Sequence, residues 1–232
     1  MTKHRHPTSG RKQEEKKQAE DVFVEKVLES ISWAKKNNQV LIVVGVVIVL
    51  LFSGGMYYRN WKAAQTQRAV AQLELVQQAV AFGEREEAKA SLNQYLAAFQ
   101  GTPYAMEARL LLGQVLLEED DPQGAIDALS PVVREMNSEP IGLQAAFLMA
   151  SAYEEADQLD EAERLFMRIA NTAQMTFQIR EALAGAARIR TRLGNFSGAM
   201  ELYEEVLGAM EETDQERSYW EMRLEEVSAK TG

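Results

Sequence analysis

Cysteine is absent from this 232-residue chain, and histidine occurs only at His4 and His6. The first absence removes disulfides, thiolate metal sites and cysteine nucleophiles from consideration. It is compatible with any compartment and suits an oxidising one, where stray thiols are a hazard. The second leaves histidine-ligated zinc and hydrolase triads without a ligand or base anywhere beyond the N-terminal tail. Proline is sparse: after residue 60 it occurs only as Pro103, Pro122, Pro131 and Pro140. No alternating apolar–polar run marks a strand, so this part reads as helix after helix. Glycine-rich phosphate loops of the P-loop or dinucleotide type are missing as well. No catalytic, cofactor-binding or metal-binding residue is assigned, and the chain reads as a non-enzyme with no cofactor and no small-molecule substrate.

Charge is missing from one stretch. Residues 40–58 (VLIVVGVVIVLLFSGGMYY) are 19 residues without an ionisable charge at neutral pH. As a helix they would be roughly 28 Å long at about 1.5 Å per residue, matching a hydrocarbon layer of roughly 30 Å. Lys35 and Lys36 precede the stretch, and Arg59 and Lys62 follow it. Tyr57, Tyr58 and Trp61 on one side and Trp33 on the other are placed to meet lipid headgroups as an aromatic belt. The competing readings are a buried core helix and a cleaved leader. A helix apolar on every side and flanked by charge argues against the first; a run longer than the usual leader core argues against the second, although Ser53-Gly54-Gly55 offers small residues. An uncleaved single transmembrane anchor is expected at 40–58.

The flanks differ in charge. Residues 1–39 carry nine Lys/Arg and six Asp/Glu, whereas residues 60–232 carry 15 Lys/Arg against 29 Asp/Glu. An acidic domain repels phosphate backbones, so no nucleic acid is expected as a partner. The excess of positive residues before the span places the N-terminus in the cytoplasm and the later domain outside. Residues 1–39 form the cytoplasmic tail in this reading. Phe23, Val27, Ile31 and Ala34 make an apolar helical stripe within it, which is either an amphipathic juxtamembrane helix at the interface or a solvated lead-in to the span.

Beyond the span the sequence repeats itself. Ala88, Ala125, Ala162 and Ala199 are successively 37 residues apart, as are Pro103 and Pro140. A large residue follows each alanine by four, at Leu92, Leu129, Phe166 and Tyr203. The physical reading is a helical hairpin: the small residue lets two helices approach, and the large one fills the next layer. Such hairpins cannot bury their faces alone and must stack. The expected hairpins are about 65–101, 102–138, 139–175 and 176–212, with a capping helix at 213–230. Gly83 and Gly194 suit left-handed turns within hairpins. Thr102-Pro103 and Asp121-Pro122 read as N-cap followed by proline at the first helical position, and Thr213-Asp-Gln-Glu216 reads as a capping box. Trp220, Leu224 and Val227 form the apolar face of the terminal helix, with packing favoured for Trp220 over a role as partner anchor. Glu118-Glu119-Asp120-Asp121 lacks calcium-loop spacing and reads as a solvated turn. Arg188, Arg190 and Arg192 lie where they offset a helix dipole.

Leu112-Gly113-Gln-Val-Leu116, then a polar turn, an alanine and a large residue four later resembles the tetratricopeptide repeat. The usual period is about 34 residues, and the longer one here is ascribed to the connections near Pro103 and Pro140. The first repeat has Leu92 and Tyr95 but no Leu-Gly, and the fourth lacks an aromatic on its first helix. The resemblance implies an all-α fold, a single N-terminal transmembrane helix followed by an α-solenoid of about four hairpins and a cap. It also implies a protein-binding groove lined by first helices: Leu73, Gln77, Leu110, Gln114, Leu117, Phe147, Ser151, Glu154, Arg188 and Arg192, some of which could equally be core. Domains of this type that clamp chaperone C-termini carry lysine and asparagine early in the groove. Leu73 and Gln77 stand there instead, so that activity is not supported.

An N-terminal span followed by an acidic tetratricopeptide domain is similar to the YfgM-like family. That resemblance implies an ancillary subunit of the SecYEG translocon in the bacterial inner membrane, with a periplasmic domain. Its partners would be translocon subunits, a periplasmic chaperone or client polypeptides. The alternative is a scaffold for a division or wall-synthesis complex.

Overall fold

The computed structural model describes Lys26, Leu28, Trp33 and residues 36–82 and 85–230. The apolar stripe at Phe23, Val27, Ile31 and Ala34 and the turn at Gly83 lie outside the described residues. Among the described residues are nine helices and no strand. They divide into two compact units, Met1–Lys62 and Ala63–Gly232.

In the first unit, α1 (Asn38–Phe82) begins. Its most apolar 18-residue window has mean hydropathy 2.6 and none of it is buried, so the helix is long and apolar enough to cross a membrane. Val49, Leu50, Leu51 and Phe52 are each more than 60 % exposed, which is the opposite of a core helix. A β-carbon added at Gly45, Gly54 or Gly55 would meet nothing.

The second unit is built from the remainder of α1 with α2 (Arg85–Phe99), α3 (Ala105–Glu118), α4 (Pro122–Arg134), α5 (Pro140–Glu155), α6 (Leu159–Thr172), α7 (Thr176–Arg192), α8 (Phe196–Gly208) and α9 (Arg217–Ser228). From α2 onward each helix packs on its successor, and α3 also touches α5, so the first helices of the second and third hairpins lie side by side. The 37-residue register runs through the core. Ala88, Ala125, Ala162 and Ala199 are at most 2 % exposed, and Leu92, Leu129, Phe166 and Tyr203 at most 3 %. Burying a side chain of this size stabilises by about 1.5–3 kcal/mol. Leu129 lies directly on the backbone of α3, where a β-carbon on Gly113 would come within 2.7 Å of it. The buried Tyr95 hydroxyl donates to the Ala69 carbonyl of α1 at 3.1 Å.

The turns inside the hairpins repeat as faithfully as the core. Asp121 N–H bonds to Leu116 O, Gln158 to Tyr153 and Asn195 to Arg190, while one residue earlier Asp120, Asp157 and Gly194 bond to Leu117, Glu154 and Thr191. This is the Schellman arrangement, which satisfies the last carbonyls of a helix. Its left-handed position is Asp120 (φ 58°), Asp157 (φ 56°) and Gly194 (φ 79°). Gly194 meets the expectation; the two aspartates at the same register do not announce themselves by residue type. Asp121 and Asn195 then cap the next helix, accepting from Gly124 N–H at 2.9 Å and Gly198 N–H at 3.1 Å.

Two of the expected caps are corrected. Thr102-Pro103 does not open α3. The Thr102 hydroxyl donates back to Phe99 O at 2.8 Å, its carbonyl makes a tight turn with Ala105 N–H, and the helix starts after Tyr104. Thr213 and Glu216 do not form a reciprocal box either. Asp214 takes that place, accepting from Glu216 N–H at 3.1 Å, and α9 begins only at Arg217. Connections between hairpins at 100–104 and 135–139 are longer than those within them at 119–121, 156–158 and 193–195. The third connection, 173–175, is short, and the 17 residues of α7 make up the period there.

The terminal helix closes the stack. Val227 is buried, Trp220 and Leu224 pack partly buried against the core, and the Trp220 ring lies 6.4 Å from that of Tyr203. Arg217 Nη1 donates to the Leu207 and Met210 carbonyls at 3.1 and 3.3 Å, satisfying acceptors at and just beyond the end of α8.

Candidate interaction site

Five first-helix positions recur at the 37-residue spacing, and their columns define one face of the second unit. Leu73, Leu110 and Phe147 form the first column. Leu73 and Leu110 are 5 % and 6 % exposed; they belong to the core and present no side chain to a partner. Phe147 is half-buried, as is Leu117. The second column is Gln77, Gln114, Ser151 and Arg188. The third, missed in the sequence reading, is Glu107, Gln144 and Glu181, and the fourth is Leu111, Leu148 and Gly185. Leu117 and Glu154 share the fifth.

The second and third columns face each other, with different outcomes along the stack. In the first layer Gln77 Nε2 donates to Glu107 Oε1 at 2.7 Å, which joins the two columns. In the next two layers the corresponding pairs are Gln114 with Gln144 and Ser151 with Glu181, and no hydrogen bond joins them. These four side chains instead line a cleft of about 300 Å³, together with Phe147, Leu148, Phe166, Gly185 and Arg188. The cleft thus has amides and a hydroxyl along its walls and apolar rings at its floor, with Phe147 and Phe166 centroids 6.4 Å apart.

The floor depends on an exchange of sizes. At the junction of the second and third hairpins the register places Leu148 opposite Leu129. At the next junction it places Gly185 opposite Phe166. The larger ring is accommodated because glycine leaves room: a β-carbon on Gly185 would lie 2.7 Å from the ring. The Arg188 guanidinium sits 5.8 Å from the centre of the same ring, within the range of a cation–π contact.

Arg188 is already engaged. It forms a fork with Glu154, Nε to Oε1 at 3.2 Å and Nη2 to Oε2 at 2.8 Å. Arg192 adds a contact to Glu154 at 3.3 Å and one to Asp157 at 3.2 Å. Burial pushes the Glu154 carboxyl upward, but hydrogen bonds and charge from Arg188 and Arg192 outweigh it and hold the carboxyl below its ordinary value. The Glu154 bond holds the Arg188 guanidinium above its usual range, against an opposing push from burial. Arg190 joins Glu163 at 2.7 Å and Gly198 O at 3.0 Å. The arginine run therefore clamps neighbouring helices, a role beyond offsetting a helix dipole. Glu181, by contrast, is exposed and has no ion pair among the described residues.

The four-acid run is divided among separate tasks. Glu118 lies 3.7 Å from Arg85 and Glu119 2.7 Å from Lys89; Asp120 forms the left-handed turn; Asp121 caps α4. Similar clefts on the other side of the hairpins, one lined by Leu96, Leu112 and Leu116 and one by Val133, Met149 and Tyr153, are the same feature translated by one repeat.

Stacked helical hairpins with a cleft lined mainly by their first helices define a tetratricopeptide-type α-solenoid, a class whose task is protein–protein interaction and which is typically a non-enzymatic scaffold. The chain belongs to the tetratricopeptide repeat-like domain family, whose model matches residues 32–229. No curated protein matches it. Its fold is similar to the crystal structure of nearly identical TPR-like repeats assigned to a kinesin light chain of Podosopora anserina. That match has 22 % identity and a TM-score of 0.58, covering 72 % of this chain and 88 % of that one. It is also similar to a tetratricopeptide repeat protein from Parabacteroides merdae, with 18 % identity and a TM-score of 0.56 over 70 % of this chain and 61 % of that one.

Proposed function

We propose that this protein is anchored by α1 in the bacterial inner membrane with its solenoid on the periplasmic side. There it works beside the Sec translocon, holding extended segments of secreted or envelope proteins and handing them on with a periplasmic chaperone. The observation that carries the reading is the cleft, where Gln114, Gln144 and Ser151 line a partly apolar surface without an internal hydrogen bond. Unpaired amides over rings suit a main chain with alternating side chains, because the amides can pair with peptide groups while the floor takes apolar atoms. The exposed apolar helix and the charge asymmetry about it support the anchor and its orientation. The YfgM-like resemblance of the sequence supports the translocon as the location.

Crosslinking in intact cells followed by purification of the full chain in mild detergent tests this. Translocon subunits and a spread of secreted clients are expected to be enriched over an unrelated single-span anchor; equal recovery would overturn the proposal. A scaffold for a division or wall-synthesis complex would instead give a few folded partners in fixed proportion.

A further inference from the structure

From the charges around the cleft we infer that it selects an internal segment of an extended chain in which an apolar residue is followed or preceded by lysine or arginine, and that Glu181 reads the basic residue. This rests on the reading of the cleft as a site for extended segments and adds what those segments must contain.

Two ionisable groups line the cleft, Glu181 and Arg188. The cation is paired: Glu154 grips the Arg188 guanidinium at two points, and the guanidinium lies 5.8 Å from the centre of the Phe166 ring. A carboxylate arriving in the cleft, whether a chain terminus or an acidic side chain, would meet an arginine whose charge Glu154 already balances and a Glu181 that repels it. Glu181 is the reverse case. It is exposed, it has no ion pair among the described residues, and its register partner Ser151 makes no hydrogen bond to it. Its counterpart in the first layer, Glu107, is satisfied by Gln77, so the free acid is particular to the last layer of the cleft. Arg180, next to it in sequence, is turned away to Asp214 and Glu216 at 3.2 and 3.6 Å and does not neutralise it.

The apolar half of the motif follows from the floor of the cleft. Phe147, Leu148 and Phe166 line it, the Phe166 ring filling the place that a side chain at Gly185 would take. A single apolar side chain fits this floor next to Glu181. Gln114, Gln144 and Ser151 would then pair with main-chain groups and impose no sequence.

The test uses the full chain in nanodiscs and short dye-labelled peptides, all acetylated and the first two also amidated so that neither end is charged. One carries leucine flanked by lysine, a second leucine flanked by glutamate, and a third leucine flanked by serine with a free C-terminal carboxylate. The lysine peptide is expected to bind about fivefold more tightly than the glutamate peptide, the magnitude of an exposed ion pair exchanged for a repulsion. The preference should vanish in Glu181→Gln, reverse in Glu181→Lys and shrink at about 1 M salt, where screening is short-ranged. Equal binding of the first two peptides, or tightest binding of the third, would overturn this inference while leaving the cleft as a peptide site. Failure of every peptide to bind would remove both.

Discussion

Gly185 of α7 and Phe166 of α6 are packed so closely that glycine's missing β-carbon is the space the ring occupies, with 2.7 Å between the two positions. An aromatic ring cannot fold away as a leucine tip can, so the contact fixes the spacing of the third and fourth hairpins.

Gly185→Ala is therefore expected to lower stability by about 1–3 kcal/mol through overpacking, although alanine is the better helix former by about 1 kcal/mol. Adding Phe166→Leu should return most of the loss, since it recreates the leucine found at the same register in Leu92 and Leu129. Thermal midpoints of the full chain in detergent, arranged as a double-mutant cycle, measure the coupling. Additive effects would show that the two residues do not share the space.

The left-handed turn position gives opposite predictions for two residues at one register. Asp120→Gly is expected to raise stability by about 0.5–1 kcal/mol by relieving the β-carbon at positive φ, and Gly194→Ala to lower it by about 1 kcal/mol. Asp120 is chosen over Asp157 because Asp157 also holds Arg192. Urea midpoints decide it.

Glu154 gives the acid limb. Its carboxyl is held below the ordinary value of 4.5, so its contribution is complete above that pH and is lost as pH falls through the depressed folded value. Glu154→Gln should cost about 1 kcal/mol at pH 7, discounted for screening because Arg188 is 45 % exposed. The variant should then lose less than the native chain on acidification below about pH 4.5. Parallel urea midpoints across that limb would refute the role if the two proteins kept a constant difference.

Orientation is tested in spheroplasts carrying tags at both ends of the full chain. External protease is expected to remove the C-terminal tag and spare the N-terminal one. Protection of the C-terminal tag would reverse the topology and take the translocon proposal with it.

The hairpins were legible because a small residue and a large one recur at fixed spacing, and burial acts on those residue types directly. Local caps were harder to read. Thr102-Pro103 has the composition of a helix start, yet the threonine hydroxyl found the Phe99 carbonyl of the preceding helix. At 213–216 the capping task moved one residue, to Asp214. Side-chain oxygens have several acceptors and donors within reach, and sequence alone does not rank them. Of the candidate groove residues, Gln114, Phe147, Ser151 and Arg188 meet in one cleft, whereas Leu73 and Leu110 went to the core. Gln144 and Glu181 were absent from the sequence reading, although both stand at 37-residue steps from Glu107; following every column of the repeat, polar ones included, would have found them. Gly185 carried no signal of its own, since its meaning lies in the ring across from it.

A chain of hairpins built on one register invites mispairing, because each could dock on the wrong neighbour during folding. The layer filled in turn by Leu92, Leu129, Phe166 and Tyr203 works against this. Shifted by one layer, Leu148 would meet Phe166 and be overpacked, and Gly185 would meet Leu129 and leave a hole, each costing on the order of 1–3 kcal/mol. The layers share one register but not one shape, and the order of the hairpins is written in that difference.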